Sequence, residues 1–177
     1  AIGSILSLYH YLTSINKSVD MVIVARKKAA FVKTDIVLEE VVDELVPAFA
    51  IAGYSISYKK IEISSEDLAI KNRFISSPTI RVNGTDICED VNESDCGCCG
   101  EISGTQVDCR VFEYEGQLYE VPPKAMLAEA ILKNAFTEAR CDDLGRYELP
   151  SNLKVFFAGK EKKKLSVHFA DIPPGKI

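Results

Sequence analysis

Long apolar runs are missing from this 177-residue chain. No stretch reaches the ~18–20 consecutive apolar residues that cross a bilayer, so a membrane partner is not expected. The opening AIGSILSLYHYL is apolar enough to suggest a signal segment. It has neither a basic region before it nor a small-residue cleavage site after it. A basic face is missing too. The formal net charge is −5, which disfavours nucleic acid and anionic membranes, since both require clustered Lys and Arg. The densest positive run, Lys160–Lys164 (KEKKK), is short and reads as a solvated helix end. Histidine is scarce: His10 and His168 stand far apart without partners, which argues against a Cys–His nucleophilic pair. The GxxxxGK[ST], HExxH, GxSxG and strand-linked GxGxxG patterns are all absent. Glu39-Glu40 and Asp142-Asp143 read as a helix first turn and a solvated loop.

What the chain does have is cysteine, in one place. Five of its six cysteines lie between Cys88 and Cys109, in CEDVNESDCGCCGEISGTQVDC, and Cys141 stands alone. A disulfide framework spreads its cysteines along a chain, and this one crowds them. Asn-x-Ser/Thr triplets at Asn16, Asn83 and Asn92 arise easily by chance, so a cytoplasmic protein is expected. The length suits one domain with extensions and a core that needs no staples.

Taken in order, Ile2, Ile5, Leu6, Tyr9 and Leu12 have helical spacing and predict an amphipathic helix over 2–15. That helix, or the C-terminal extension, offers a surface for a homodimer. Met21–Ala25 (MVIVA) suits a buried strand. A basic loop, Arg26–Lys28, follows. Thr34 or Asp35 caps a helix from Ile36, with Pro47 as a kink and Gly53 as a C-cap. Tyr54–Ile63 alternates as a second strand, and Ser65 caps a short helix through about Phe74. Thr79–Val82 is a third strand ending in an Asn83-Gly84 reversal. Cys109–Tyr114 and Leu118–Val121 are further strands, and a helix follows Pro122-Pro123 with Met126, Leu127, Ala130, Ile131, Ala135 and Phe136 inward. Ser151 caps a short helix carrying Leu153, Val155, Phe156 and Phe157, and the tail from Lys160 reads as extended. The order βαβα then ββα predicts an α/β fold with a parallel strand pair joined by a helix.

That order, with Ser77-Pro78-Thr79 opening the third strand, resembles the thioredoxin fold: a central mixed sheet flanked by helices, here with an N-terminal helix (1–18) and a C-terminal helical extension (140–177) around a domain over 19–139. More closely, SPTIRVNGTDI, CGCCG, CRVFEYEGQLYEVPPKAML and LPSNLKVFF resemble an uncharacterised prokaryotic thioredoxin-like family of unknown function, with a Cys-rich insertion (88–109) after the proline strand. The resemblance implies a cis Ser77-Pro78 bond beside the active site, and a groove at Ser77, Pro78 and Thr79. It also implies a Cys-x-x-Cys after the first strand, where a helix N-terminus favours the thiolate. Here that stretch is Ala25–Lys33, with Lys28 and Phe31 at the thiol positions. Thioredoxin chemistry at its usual place is excluded.

Three readings of the insertion stay open. Cys96, Cys98, Cys99 and Cys109 can surround zinc or an iron–sulfur cluster, with Gly97 and Gly100 allowing the tight turns. The spacing departs from paired C-x-x-C knuckles, and adjacent cysteines seldom both bind one ion. Alternatively Cys96 and Cys99 form a relocated catalytic C-x-x-C acting on a protein thiol partner, or vicinal thiols take a soft ion such as arsenite or mercury. Glu93, Asp95 and Glu101 oppose thiolate formation. In the third reading the loop is structural, in an interaction or oligomerisation module that has lost its redox cysteines.

Overall fold

The computed structural model describes residues 17–26, 29–88, 90–95, 97–137 and 147–170. The expected helix over 2–15, Cys96, Cys141 and the last seven residues lie outside them. Strand β1 (Lys17–Ala25) leads through helix α1 (Ala29–Ile51) to β2 (Tyr54–Glu62), which pairs parallel with β1. Helix α2 (Glu66–Lys71) then returns the chain to β3 (Thr79–Val82), antiparallel to β1 on its other side, and a stub β4 (Thr85–Asp86). The sheet order is β2-β1-β3-β4. The expected α/β class, with a mixed sheet between helices, is observed.

Local chemistry accounts for these elements. Ser65 accepts a hydrogen bond from the Leu68 amide (3.3 Å) and starts α2. Asn83 (φ 49°) and Gly84 (φ 82°) both occupy the left-handed region, as the tight β3–β4 reversal requires. The Ser77-Pro78 peptide is cis. Helix α1 starts at Ala29, well before the Ile36 read from the cap signal. Ala29 and Ala30 are strong helix formers and carry the helix back to the end of β1. Thr34 is fully buried, and Asp35 instead accepts from Tyr58 Oη (2.6 Å) and Lys60 Nζ (2.8 Å), tying α1 to β2. Pro47, expected as a kink, lies inside the helix.

The Cys-rich insertion is not a bare loop. It forms β5 (Asn92–Asp95) and α3 (Gly97–Ser103) and then enters β6 (Asp108–Tyr114), which pairs antiparallel with β5 and with β7 (Gln117–Tyr119). Helix α4 (Lys124–Ala135) follows. Helix α5 (Ser151–Ala170) is 20 residues long, not short, and Lys160–Lys164 sits within it. Lys and Glu propagate a helix well, and this one is pinned where Lys160 and Lys163 donate to the carbonyls of Ser64 and Glu101.

Alternation along β1 gives each face of the sheet its own core. Val19, Met21 and Ile23 pack with Leu38 and Phe49 of α1 and Leu127 and Ile131 of α4. On the other side Val24 meets Phe74, Cys99, Leu153 and Phe156, so α5 closes over the insertion. A Cβ on Gly159 would lie 2.7 Å from both Ser103 O and Thr105 Cγ2. Gly159→Ala is therefore expected to lose about 1–3 kcal/mol by overpacking, against about 1 kcal/mol of helix propensity gained. Urea denaturation reads the difference. A midpoint at or above that of the parent would show that α3 and α5 are not in tight contact.

Candidate functional site

Two cysteines meet where the first strand ends. Cys99, on α3, is 3% exposed, and Cys109, on β6, is partly exposed. Their Sγ atoms lie 3.3 Å apart, a sulfur–sulfur contact longer than the ~2.04 Å of a covalent disulfide. Both belong to the core on the α5 side. Ser103 Oγ donates to the Cys99 carbonyl (3.1 Å), and the tight approach of Gly100 to Thr105 O holds the end of α3 against the turn into β6.

Arg26 lies beneath the pair. It follows β1 directly, is 2% exposed, and places its guanidinium 4.7 Å from the centre of the Phe156 ring. Its Nη2 donates to the Asp108 carbonyl (2.9 Å) and to Cys109 Sγ (3.5 Å). Nε and Nη1 are buried and have no hydrogen-bond partner among the described residues, and no carboxylate there pairs with the side chain. A buried cation needs an opposite charge. Among the described residues the polarisable groups it touches are the Phe156 ring and the Cys109 sulfur, so the site puts positive charge beside the atom that is negative in thiolate chemistry.

The proline segment locks this corner. Ser77 Oγ accepts from the Arg26 amide (3.1 Å), while the Ser77 carbonyl accepts from the Arg110 amide (2.9 Å). Ser77 is 6% exposed, Pro78 is buried and Thr79 is fully buried, with its Oγ1 donating to the Ser76 carbonyl (2.6 Å). Arg110 makes a two-pronged pair with Asp86 (2.8 Å to each carboxylate oxygen), fastening β6 to β4. The Asn152 side-chain amide accepts from the Asp108 amide (3.2 Å) and donates to its carbonyl (3.0 Å). It thus pairs with β6 as another strand would.

Of the residues singled out from the sequence, Cys99 and Cys109 come together. Cys96 and the side chain of Cys98 lie outside the described residues. Cys88 is separate: it packs against the core on the α1 side and borders an open cleft of about 500 Å³. Burial pushes its thiol pKa up, with Asp86 adding to the rise and Arg110 opposing it. Among the described residues no group of three or more His, Cys, Asp or Glu side chains is gathered as a metal site. Glu93, read as an electrostatic burden on the thiols, is held by Ser76 Oγ (2.5 Å) and Asn152 Nδ2 (2.9 Å). Arg26 and Asn152 were missed. The one signal for Arg26 was an arginine set directly against the apolar run MVIVA, with no turn residue between.

Fold and site together define an α/β protein with a thiol pair held against a buried arginine. The chain belongs to the family described as Domain of unknown function (DUF2703), whose match spans residues 27–131 and so takes in α1, the whole insertion and most of α4. Comparison with curated proteins and with solved structures found no match. No helix among the described residues is long and apolar enough to cross a membrane.

Proposed function

We propose that this protein is a thioredoxin-like thiol–disulfide exchange protein whose working pair is Cys99 and Cys109. The observation that carries the reading is the 3.3 Å sulfur–sulfur contact beside the Arg26 guanidinium. Reacting atoms about 3–3.5 Å apart are in near-attack geometry, and a neighbouring cation favours the nucleophilic thiolate. The sheet order β2-β1-β3-β4, with β1 and β2 parallel and β3 antiparallel, supports the thioredoxin-like assignment, as does the placement of the pair at the end of β1 beside Ser77-Pro78. The position left vacant by the missing Cys-x-x-Cys is served by thiols from the insertion.

Anaerobic redox titration followed by proteolytic mapping tests this. A reversible Cys99–Cys109 disulfide is expected, lost in both Cys99→Ser and Cys109→Ser. Absence of that link at every poise would overturn the reading. Stoichiometric zinc or iron with the thiols protected would replace it with a metal centre.

A further inference from the structure

Four observations bear on what this pair acts upon and in which order. Cys109 is partly exposed and carries the Arg26 contact, whereas Cys99 is 3% exposed and 3.3 Å behind it. Both backbone edges of β6 around Cys109 are occupied. On one side Ser94 pairs with Cys109 in the β5–β6 ladder. On the other, Asp108 is paired through Asn152 and the Arg110 amide is held by Ser77. The segment Ser76–Thr79, which could otherwise receive an extended chain, is buried, with its side chains bonded internally or to Arg26 and Glu93.

An extended polypeptide binds beside a sheet by adding backbone hydrogen bonds to an open edge. No such edge flanks Cys109. A chain added to the outer edge of β5, which is unpaired among the described residues, would lie about two strand spacings (~10 Å) from the Cys109 backbone.

We infer that the substrate is a low-molecular-weight disulfide, with Cys109 as the attacking thiol and Cys99 as the resolving thiol. This rests on the exchange reading of the pair. The Cys109 thiolate attacks one sulfur of the small disulfide. The substrate S–S bond breaks, one thiolate leaves and takes a proton from solvent, and a mixed disulfide forms on Cys109. Cys99 then gives its proton to solvent and attacks the Cys109 sulfur; the mixed S–S bond breaks, and the second substrate thiolate leaves and is protonated from solvent. Two electrons pass from the cysteine pair to the substrate, giving a Cys99–Cys109 disulfide and two small thiols. Arg26 touches the attacking sulfur throughout.

The experiment uses the full chain, reduced and freed of reductant, with oxidised glutathione as probe. The parent protein is expected to release two glutathione molecules per chain and to acquire the internal disulfide. Cys99→Ser, and independently Cys99→Ala, are expected to retain one glutathionyl group, mapped to Cys109. Cys109→Ser is expected to lose the reaction at this site. Insulin, whose disulfides belong to a polypeptide, is expected to stay intact while oxidised glutathione is consumed. A trapped adduct on Cys99 in Cys109→Ser, an adduct on another cysteine in Cys99→Ser, or insulin reduced as fast as glutathione would overturn the inference. Each of those results leaves the pair redox-active, so it is distinct from failure to form the Cys99–Cys109 link at all.

Discussion

Asp86→Ala is expected to lower the unfolding free energy by about 3 kcal/mol. Arg110 has a side chain with no exposed surface, and both oxygens of Asp86 hold its guanidinium at 2.8 Å. Removing one partner of a buried pair leaves an uncompensated charge, at a cost of about 3–5 kcal/mol. The Asp86 side chain is 16% exposed, so water reaches this end and the lower figure applies. Among the described residues, what remains for the guanidinium is the Asp90 carbonyl at 3.5 Å and the face of Phe112 at 5.4 Å. Equilibrium urea denaturation at neutral pH measures the loss, and Asp86→Ala combined with Arg110→Met is expected to recover most of it, because the orphaned charge goes as well. A single-variant loss below about 1 kcal/mol would mean that the pair does not hold β6 to β4.

Arg26→Met is expected to move stability and reactivity in opposite directions. The guanidinium is buried, has two donor nitrogens, Nε and Nη1, without partners among the described residues, and faces no carboxylate there. Unsatisfied buried polar groups cost about 1–3 kcal/mol each. Methionine has a comparable length and no charge to bury, so the melting temperature should hold or rise. The backbone amide still donates to Ser77 Oγ, which keeps the end of β1 in place. Meanwhile the sulfur of Cys109 loses its cationic neighbour, and its reaction with oxidised glutathione should slow about tenfold at neutral pH, where the thiolate fraction limits the rate. Arg26→Lys, which keeps a charge, should retain part of the rate. Equal rates in the methionine variant and the parent would remove Arg26 from the chemistry. A sharp loss of stability would make it a structural residue instead.

The fold was legible wherever local signals agree with each other. The alternation of β2, the Asn83-Gly84 reversal and the inward Met126, Leu127, Ala130, Ile131 and Ala135 of α4 follow from spacing and turn chemistry, whereas Phe136, expected inward, lies past the end of that helix and is 54% exposed. Boundaries failed where a propensity continued past a cap signal. Thr34-Asp35 looks like a helix start, yet Ala29 and Ala30 extend α1 behind it, and KEKKK extends α5 rather than ending it. The site was half legible. Cysteine chemistry pointed to the insertion, and nested C-x-x-C spacing drew the pairing toward Cys96 and Cys99. Cys96 lies outside the described residues, and the contact seen within them is between Cys99 and Cys109, joined by the turn from α3 into β6. Arg26 reaches Cys109, and Asn152 the neighbouring Asp108 backbone, from distant parts of the chain, and no local pattern records such an approach. Burial of an arginine is decided by tertiary packing, here against Phe156.

Asn152 and Gly159 have a consequence for the order in which the site matures. Both belong to α5, which is synthesised after both cysteines. Until α5 docks, the Asp108 amide lacks its Asn152 partner, while its carbonyl keeps the Arg26 guanidinium, and α3 lacks the surface against which it is seated. A nascent or partly folded chain thus presents an open strand edge beside the thiols, and the finished protein closes it. On the exchange reading proposed above, selectivity for small substrates would depend on the docking of α5 as much as on the thiol pair itself.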